Sequence, residues 1–394
     1  MIIFNFKAIS TKHLFTNKKI ALVSVINDLN SDVRVNKIAL TLIECGYNVT
    51  LIGRVLPRSK PFQAQAYKGF RMRLIFKKGP LFYLFFNLRL FFKLLFTKAH
   101  LLYANDLDTL LPNYLVSKIK GIPLIYDSHE LFCGVPELLQ HPIKRGIWLS
   151  LEKWLLPKLN HLITVSDGIA TFYQNKYQKS FTVVRNIPPA ASTSFALKSR
   201  EALGIPLDKK MILLQGAGIN IDRGAEELID AMAMVHNAVI YIIGSGDVWQ
   251  VLEQKVKAQG LEAKVKLIQK LPKEELLHYT GNADIGLSID KNTNLNYYYS
   301  LPNKLFDYIQ CSVPVLASRL HEIEKIIDHY QIGEFIDSHE PKHLAKRLNA
   351  FVNSEKLSLY RQNMQKAVQE LNWTIEKQKL IAVIQKATKP NSQA

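Results

Sequence analysis

The chain has 394 residues, 48% of them hydrophobic and 21% charged, which is long enough for two domains with separate cores and too apolar for a disordered tract. Its three cysteines, Cys45, Cys133 and Cys311, stand far apart, which excludes a disulfide framework or a cysteine-metal cluster and points to a reducing compartment. The net charge of +18 is uneven: residues 1–195 hold 26 Lys and Arg against 10 Asp and Glu, while residues 196–394 hold 25 against 23, so an anionic partner is expected for the first half.

The opening "MIIFNFKAISTKHLFTNKK" is basic but lacks an apolar segment followed by a small-residue cleavage site, so no signal peptide is expected. No apolar run reaches the length of about 18 residues that a membrane-spanning helix needs. "KIALVSVI" reads as the first core strand. After the loop "NDLNSDVRV" comes the helical "RVNKIALTLIECGY", with Val35, Ile38, Leu42 and Ile43 on one face and Gly46 as its stop. Asp32 and Arg34 at its mouth suit acceptor or phosphate contact, and equally a solvated helix start. "NVTLIGR" is the next strand.

Between Glu44 and Asp106 no acidic residue occurs, while 11 Lys and Arg do. Within that window lies "GFRMRLIFKKGPLFYLFFNLRLFFKLLFTK", residues 69–98, where residues 81–96 are apolar but for Asn87, Arg89 and Lys93. A helix of that length is about 24 Å long, too short to span a bilayer comfortably. It suits docking on an anionic lipid surface, and a core helix flanked by solvated lysines accounts for the same residues. Nucleic acid is not expected as the partner, because the Phe/Leu run is too apolar for a base-stacking platform.

Strands "HLLYAND", "PLIYDSHE", "HLITVSD" and "FTVVRNI" complete the first half, and "NIPPAASTSF" reads as a linker. The second half restarts with "KMILLQGAG", "NAVIYIIGSGD", "KVKLIQKL", "ADIGLSID", "VPVLAS" and "IGEFID", again alternating with helices, the pattern of parallel α/β sheets. The expected domains are 1–190 and 191–370, with residues 371–394 as a helix crossing back to the first. In such sheets ligands bind beyond the carboxyl ends of the strands.

The densest motif is "SLPNKLFDYIQCSVPVLAS", residues 300–318. Pro302 suits a helix start, Ser300 is a candidate N-cap, and the free N–H groups of the first turn favour an anion. Lys304 adds a cation there. Asp307 follows one turn later, where a carboxylate can accept two hydroxyls. Phosphate at the mouth and a diol at the acid describe a nucleotide; a capped helix with a solvated lysine is the alternative. In "LLQGAGINIDRGAEELIDAM" a strand ends at Gly216 and Gly218, and Arg223 opens a helix where it can fork onto a diphosphate. "IIGSGD" adds Gly244 and Gly246 at another strand end, each signal being weak alone.

Taken together, "DVRVNKIALTLIECGYNVTLIG", "YDSHELF", "LITVSDGIA", "VVRNIPP", "GINIDRGAEELIDAM", "YIIGSGD", "LPKEELLHYTGNADIGLS" and the 300–318 motif resemble a family-4 (group 1) glycosyltransferase of the kind that builds bacterial surface polysaccharides. The resemblance implies the GT-B fold, two Rossmann-like doubly wound domains facing a cleft. It implies a retaining, metal-independent hexosyltransferase that moves a sugar from a UDP- or GDP-sugar to a lipid-linked or polysaccharide acceptor. No cofactor is then required, and the place of work is the cytoplasmic face of the inner membrane. On the family pattern Asp307 binds the ribose, residues 300–304 (Ser300, Asn303 and Lys304 among them) hold the diphosphate, and Arg223 stands at a phosphate-binding position. Leu271 begins the segment that meets the base, and His129 of "YDSHE" lies beside the donor sugar. Tyr299 and Gly218 replace charged residues of the pattern. A catalytically altered scaffold and a GT-B sugar-nucleotide epimerase are the alternatives.

Overall fold

A computed structural model describes residues 19–30, 32–56, 59–62, 65–189 and 196–389. The basic opening, residues 1–18, and the linker residues 190–195 lie outside these. In chain order the elements are β1 (Lys19–Ser24), α1 (Val33–Glu44), β2 (Tyr47–Arg54), β3 (Lys68–Met72), α2 (Gly79–Leu95), β4 (Leu101–Asn105), α3 (Leu107–Lys120) and β5 (Leu124–Ser128). They continue with α4 (Pro136–Leu139), α5 (Pro142–Leu155), β6 (His161–Thr164), α6 (Asp167–Tyr177) and β7 (Thr182–Val183). The second sheet and its helices are β8 (Lys210–Gly216), α7 (Ala225–Met232), β9 (Ala238–Gly244), α8 (Trp249–Ala258), β10 (Val265–Gln269), α9 (Lys273–Asn282), β11 (Ile285–Ser288) and α10 (Leu295–Tyr298). Then come α11 (Asn303–Gln310), β12 (Val315–Ser318), α12 (His321–Tyr330), β13 (Gly333–Ile336), α13 (Pro341–Val352), α14 (Leu357–Glu370) and α15 (Trp373–Thr388).

The strands form two parallel sheets, ordered β3-β2-β1-β4-β5-β6-β7 and β10-β9-β8-β11-β12-β13. In each, the order reverses once, beside β1 and beside β8, which is the doubly wound pattern. By compactness the chain divides after Leu124, with one unit before it and a larger one from Ile125 to Lys389.

In the first unit, α1 is capped by Asp32, whose Oδ1 accepts the Val35 N–H at 3.1 Å, while Arg34 is buried. Gly46 follows the helix end with φ +88°, a conformation that favours glycine. Helix α2 buries Phe82, Phe86, Leu90 and Leu94, one stripe at a spacing of four. Its other faces leave Leu81, Leu84, Leu88 and Phe92 exposed. Lys93 sits over the Phe70 ring, and Arg89 donates to the Arg73 carbonyl. No helix among the described residues is long and apolar enough to cross a membrane.

In the larger unit, the alternation of the strands splits the core of the second sheet in two. Ile212, Leu214, Ile240, Ile242, Ile285 and Leu287 face α7, α8 and α13. Met211, Leu213, Val239, Val315 and Ala317 face α11, α12 and α14. Polar residues at the carboxyl ends of these strands inherit the same faces. Asn372 caps α15 through the Ile375 N–H. The helix is tied to the segment after β7 by Trp373 N–H to the Pro188 carbonyl and Arg185 N–H to Glu376. Glu152 on α5 accepts from Tyr177 and Lys176 of α6.

Candidate active site

Strands β8 and β11 are neighbours where the order of the second sheet reverses, the place where such sheets receive ligands. Both carry their polar residues there: Gln215 and Gly216 end β8, and Asp290 lies two residues past β11. The loop after Gly216 is pinned by Ile219 N–H to the Ser245 carbonyl (2.8 Å) and Lys291 N–H to the Asp222 carbonyl (2.8 Å). At Gly224, φ is +77° and a Cβ would lie 2.5 Å from the Ile289 oxygen, so only glycine fits before α7.

Arg223 is delivered by that loop and Lys304 by the first turn of α11. They meet on one carboxylate: Arg223 Nη1 lies 3.1 Å from Asp290 Oδ2, and Lys304 Nζ 3.3 Å from Oδ1. The Arg223 guanidinium also stacks on Tyr297 of α10, 4.2 Å from the ring centroid. Burial works against the guanidinium charge, but Asp290 and Tyr297 outweigh it and hold Arg223 above its ordinary pKa. For Lys304 burial wins over Asp290, with Arg223 adding repulsion, and the pKa falls below the usual lysine range.

One turn along α11, Asp307 is buried. Its Oδ2 accepts Gln215 Nε2 at 2.9 Å, Lys273 of α9 pairs with Oδ1, and Thr280 donates to the Gln215 oxygen at 2.7 Å. The carboxylate is therefore oriented and held at the end of β8. Ser300 is not the cap expected of it: the helix begins after an extended Pro302, and the Ser300 hydroxyl donates to the Tyr297 carbonyl instead (3.0 Å). Because Leu301 and Pro302 carry the chain onward outside the helix, Ser300 is a turn too early to reach the helix N–H groups. Those N–H groups have no side-chain cap, as an anion site requires. Asn303 is exposed on the first turn and Leu271 is half-buried before α9.

The glycines divide by surroundings. A Cβ on Gly216 or Gly218 would meet nothing closer than 3.9 Å or 3.6 Å, so neither is crowded. On Gly244 it would lie 1.8 Å from the Gly216 oxygen, and on Gly246 1.8 Å from the Ile219 oxygen. Backbone packing alone demands glycine at that second pair.

His129 follows β5, with Nε2 3.7 Å from the buried Asp127 carboxylate. The segment reaches α10 directly: Leu131 N–H donates to Asn296 Oδ1 at 3.0 Å and Asn296 Nδ2 to Glu130 at 3.2 Å. His129 thus neighbours the helix whose Tyr297 carries Arg223. Tyr299 packs against Gly168 at the start of α6 and edge-on to His321, and its carbonyl accepts the Ser166 hydroxyl at 2.7 Å. Its role in the structure is a packing contact. Among the described residues no cluster of His, Cys, Asp and Glu is arranged to hold a metal.

Sequence reasoning missed Asp290, Lys273, Gln215, Asn296 and Tyr297. A strand-end acid in "ADIGLSID" and a strand-end glutamine in "KMILLQGAG" were the available signals. Lys273, in a polar helix start, gave none.

Two doubly wound parallel sheets, with Arg223 and Lys304 brought together at the switch point of the second, match a GT-B architecture. Solved structures of that architecture superpose on it. The chain is similar to a sucrose-phosphate synthase from Thermosynechococcus elongatus, with TM-score 0.77 and 16% identity over 94% of this chain and 99% of that one. It is also similar to HepE of Anabaena in complex with UDP-glucose, with TM-score 0.68 and 16% identity over 93% and 99%. The chain belongs to the family-4, group 1 glycosyltransferases: the model for Glycosyltransferase Family 4 matches residues 32–195, and that for Glycosyl transferases group 1 matches residues 196–371. It is 24% identical over 218 residues, 55% of its length, to the UDP-glycosyltransferase TURAN of Arabidopsis thaliana, and the match spans 44% of that relative.

Proposed function

We propose that the protein transfers a hexose, with retention of configuration, from a UDP- or GDP-sugar to a lipid-linked or polysaccharide acceptor. The bond from the anomeric carbon to the diphosphate oxygen breaks with its electron pair going to the diphosphate, a bond to the acceptor hydroxyl oxygen forms, and the hydroxyl proton passes to the leaving diphosphate. The convergence of Arg223 and Lys304 at the uncapped mouth of α11, one turn from the oriented Asp307, carries this reading. Two cations and a helix N-terminus meet the charge that grows on the leaving diphosphate, with no metal ion required of them. Asp307 takes the ribose hydroxyls, and the open side of Gly216 and Gly218 lets the diphosphate approach the backbone. His129 stands beside the transferred sugar. The UDP-glucose complex of HepE supports the choice of a nucleotide-sugar.

Retention follows the stereochemistry of the family. The acceptor and the place of work rest on the first unit. Its acid-free window between Glu44 and Asp106 and the exposed apolar faces of α2 suit the cytoplasmic surface of a membrane bearing anionic lipid.

Thermal shift against UDP, GDP, ADP and CMP tests the donor class. A ligand at about 100 times its dissociation constant stabilises the folded state by about 2.7 kcal/mol, and UDP or GDP should give the largest shift. Folded protein that responds to none of the four refutes the reading in favour of an inactive scaffold.

A further inference from the structure

Asp290 is wholly buried, yet it carries both cations expected to hold the diphosphate. Alternation along β11 turns Ile285, Leu287 and Ile289 to one face of the sheet, leaving Gly286, Ser288 and Asp290 to the other. Gly286 lies against the Tyr308 ring, so this second face is the one that α11 covers. Asp290 therefore reaches Lys304 from beneath the helix and Arg223 from beside it, one oxygen for each cation. Two basic side chains share one carboxylate.

We infer that Asp290 is a positioning residue for the transfer reaction: each of its two oxygens keeps one of Arg223 and Lys304 as a cation beside the other, so that both stand ready for one diphosphate. The inference rests on the donor reading above and adds to it a residue that touches neither substrate nor reacting atoms. Facing Lys304 are Asp290 from the end of β11 and Arg223 from the loop before α7, with Tyr297 of α10 stacked on Arg223.

The charge balance makes this testable. Burial lowers the Lys304 pKa, Asp290 opposes the fall and Arg223 adds to it. An asparagine in place of Asp290 removes the opposing influence, so Lys304 loses its proton at lower pH. Diphosphate binding favours charged Lys304; affinity therefore falls as pH rises through that pKa, and falls earlier without Asp290. At the acid end Lys304 is charged in both proteins, and deleting a neighbouring carboxylate only removes repulsion of the ligand. The two affinity curves should cross.

The experiment is calorimetric titration of UDP and of GDP into the full chain from about pH 6 up to the ordinary lysine value of about 10.4. Asp290→Asn should bind as tightly as wild type or tighter at the acid end. At the alkaline end it should bind at least about tenfold more weakly. Lys304→Arg in the Asp290→Asn background should restore the alkaline affinity, because a guanidinium does not titrate there. Curves that are identical, or displaced in parallel at every pH, overturn the inference. Should Asp290→Asn fail to fold, Asp290→Glu carries the test: its charge predicts a wild-type alkaline fall, and a fall at lower pH overturns the role. Wild type that binds neither nucleotide removes the donor reading and this inference together, whereas wild-type binding with parallel curves removes only Asp290.

Discussion

Replacing Asp307 by asparagine separates the ribose role of this side chain from its place in the fold. The carboxylate accepts from Gln215 at 2.9 Å and pairs with Lys273, and an ionised carboxyl group offers about four acceptor sites in all. The amide introduced by Asp307→Asn would be uncharged, would keep one acceptor oxygen, and would turn its N–H donors toward Gln215 or Lys273. The Lys273 side chain is 46% exposed, so solvent screens the lost ion pair and the stability cost should be about 1 kcal/mol or less. Hydrogen bonds to a charged acceptor are worth about 1.5–3 kcal/mol, so UDP or GDP should bind roughly 10- to 150-fold more weakly. The decisive comparison uses the same diphosphate with and without the ribose hydroxyls, titrated into both proteins by calorimetry. Wild type should prefer the hydroxylated ligand by about tenfold or more, and the variant should show little preference. If Asp307→Asn keeps the full preference, the hydroxyls bind elsewhere and the proposed orientation of the donor is wrong.

Two other predictions are independent of that one. Gly244→Ala and Gly246→Ala each push a Cβ to 1.8 Å from a backbone oxygen, which no rotamer change relieves; thermal unfolding should show losses of about 3 kcal/mol or more, or no folded protein. Gly216→Ala and Gly218→Ala bring a Cβ only into ordinary van der Waals contact, at 3.9 Å and 3.6 Å, and should keep the melting temperature while weakening diphosphate binding; the reverse order of stabilities would refute the division. Replacing Lys77, Lys78, Arg89 and Lys93 by glutamine should abolish most binding to anionic vesicles, since each such cation contributes roughly 1 kcal/mol near the surface. It should leave the nucleotide thermal shift unchanged, and sedimentation that is equal for neutral and anionic vesicles, whatever the salt, refutes the electrostatic part.

The strands that are legible in the sequence are those whose residues are buried on both faces. β8 and β9 read as continuous apolar runs because parallel strands covered by helices have no polar face. β3 is illegible for the converse reason. Lys68–Met72 is an edge strand, paired on one side to β2 with its first three residues exposed, and a charged edge is how sheets avoid further pairing. Only Thr182 and Val183 of the expected strand "FTVVRNI" join the ladder, since Arg185 turns its N–H to Glu376 of α15. That long-range partner has no local signature. Residues 81–96 show the opposite ambiguity. Their apolar content gives no preferred face, and packing chooses the Phe82, Phe86, Leu90, Leu94 stripe.

At the site, residues carried by a local motif are legible, and residues supplied across the sheet are not. Asp307, Lys304 and Arg223 each open or line a helix, so spacing along the chain places them near a helix mouth. Asp290, Gln215 and Lys273 act through side-chain partners 14, 92 and 34 residues away, a distance that periodicity cannot register. They share one physical function, which is to give every buried charge a partner before the donor arrives. Buried charges left alone are costly, so a sequence that places Lys304 and Asp307 inside a helix–sheet interface must supply partners from neighbouring strand ends and helices. A search for polar partners at strand ends, once a buried lysine or acid is suspected, is the step that finds Asp290 and Gln215, though not Lys273 at the start of α9.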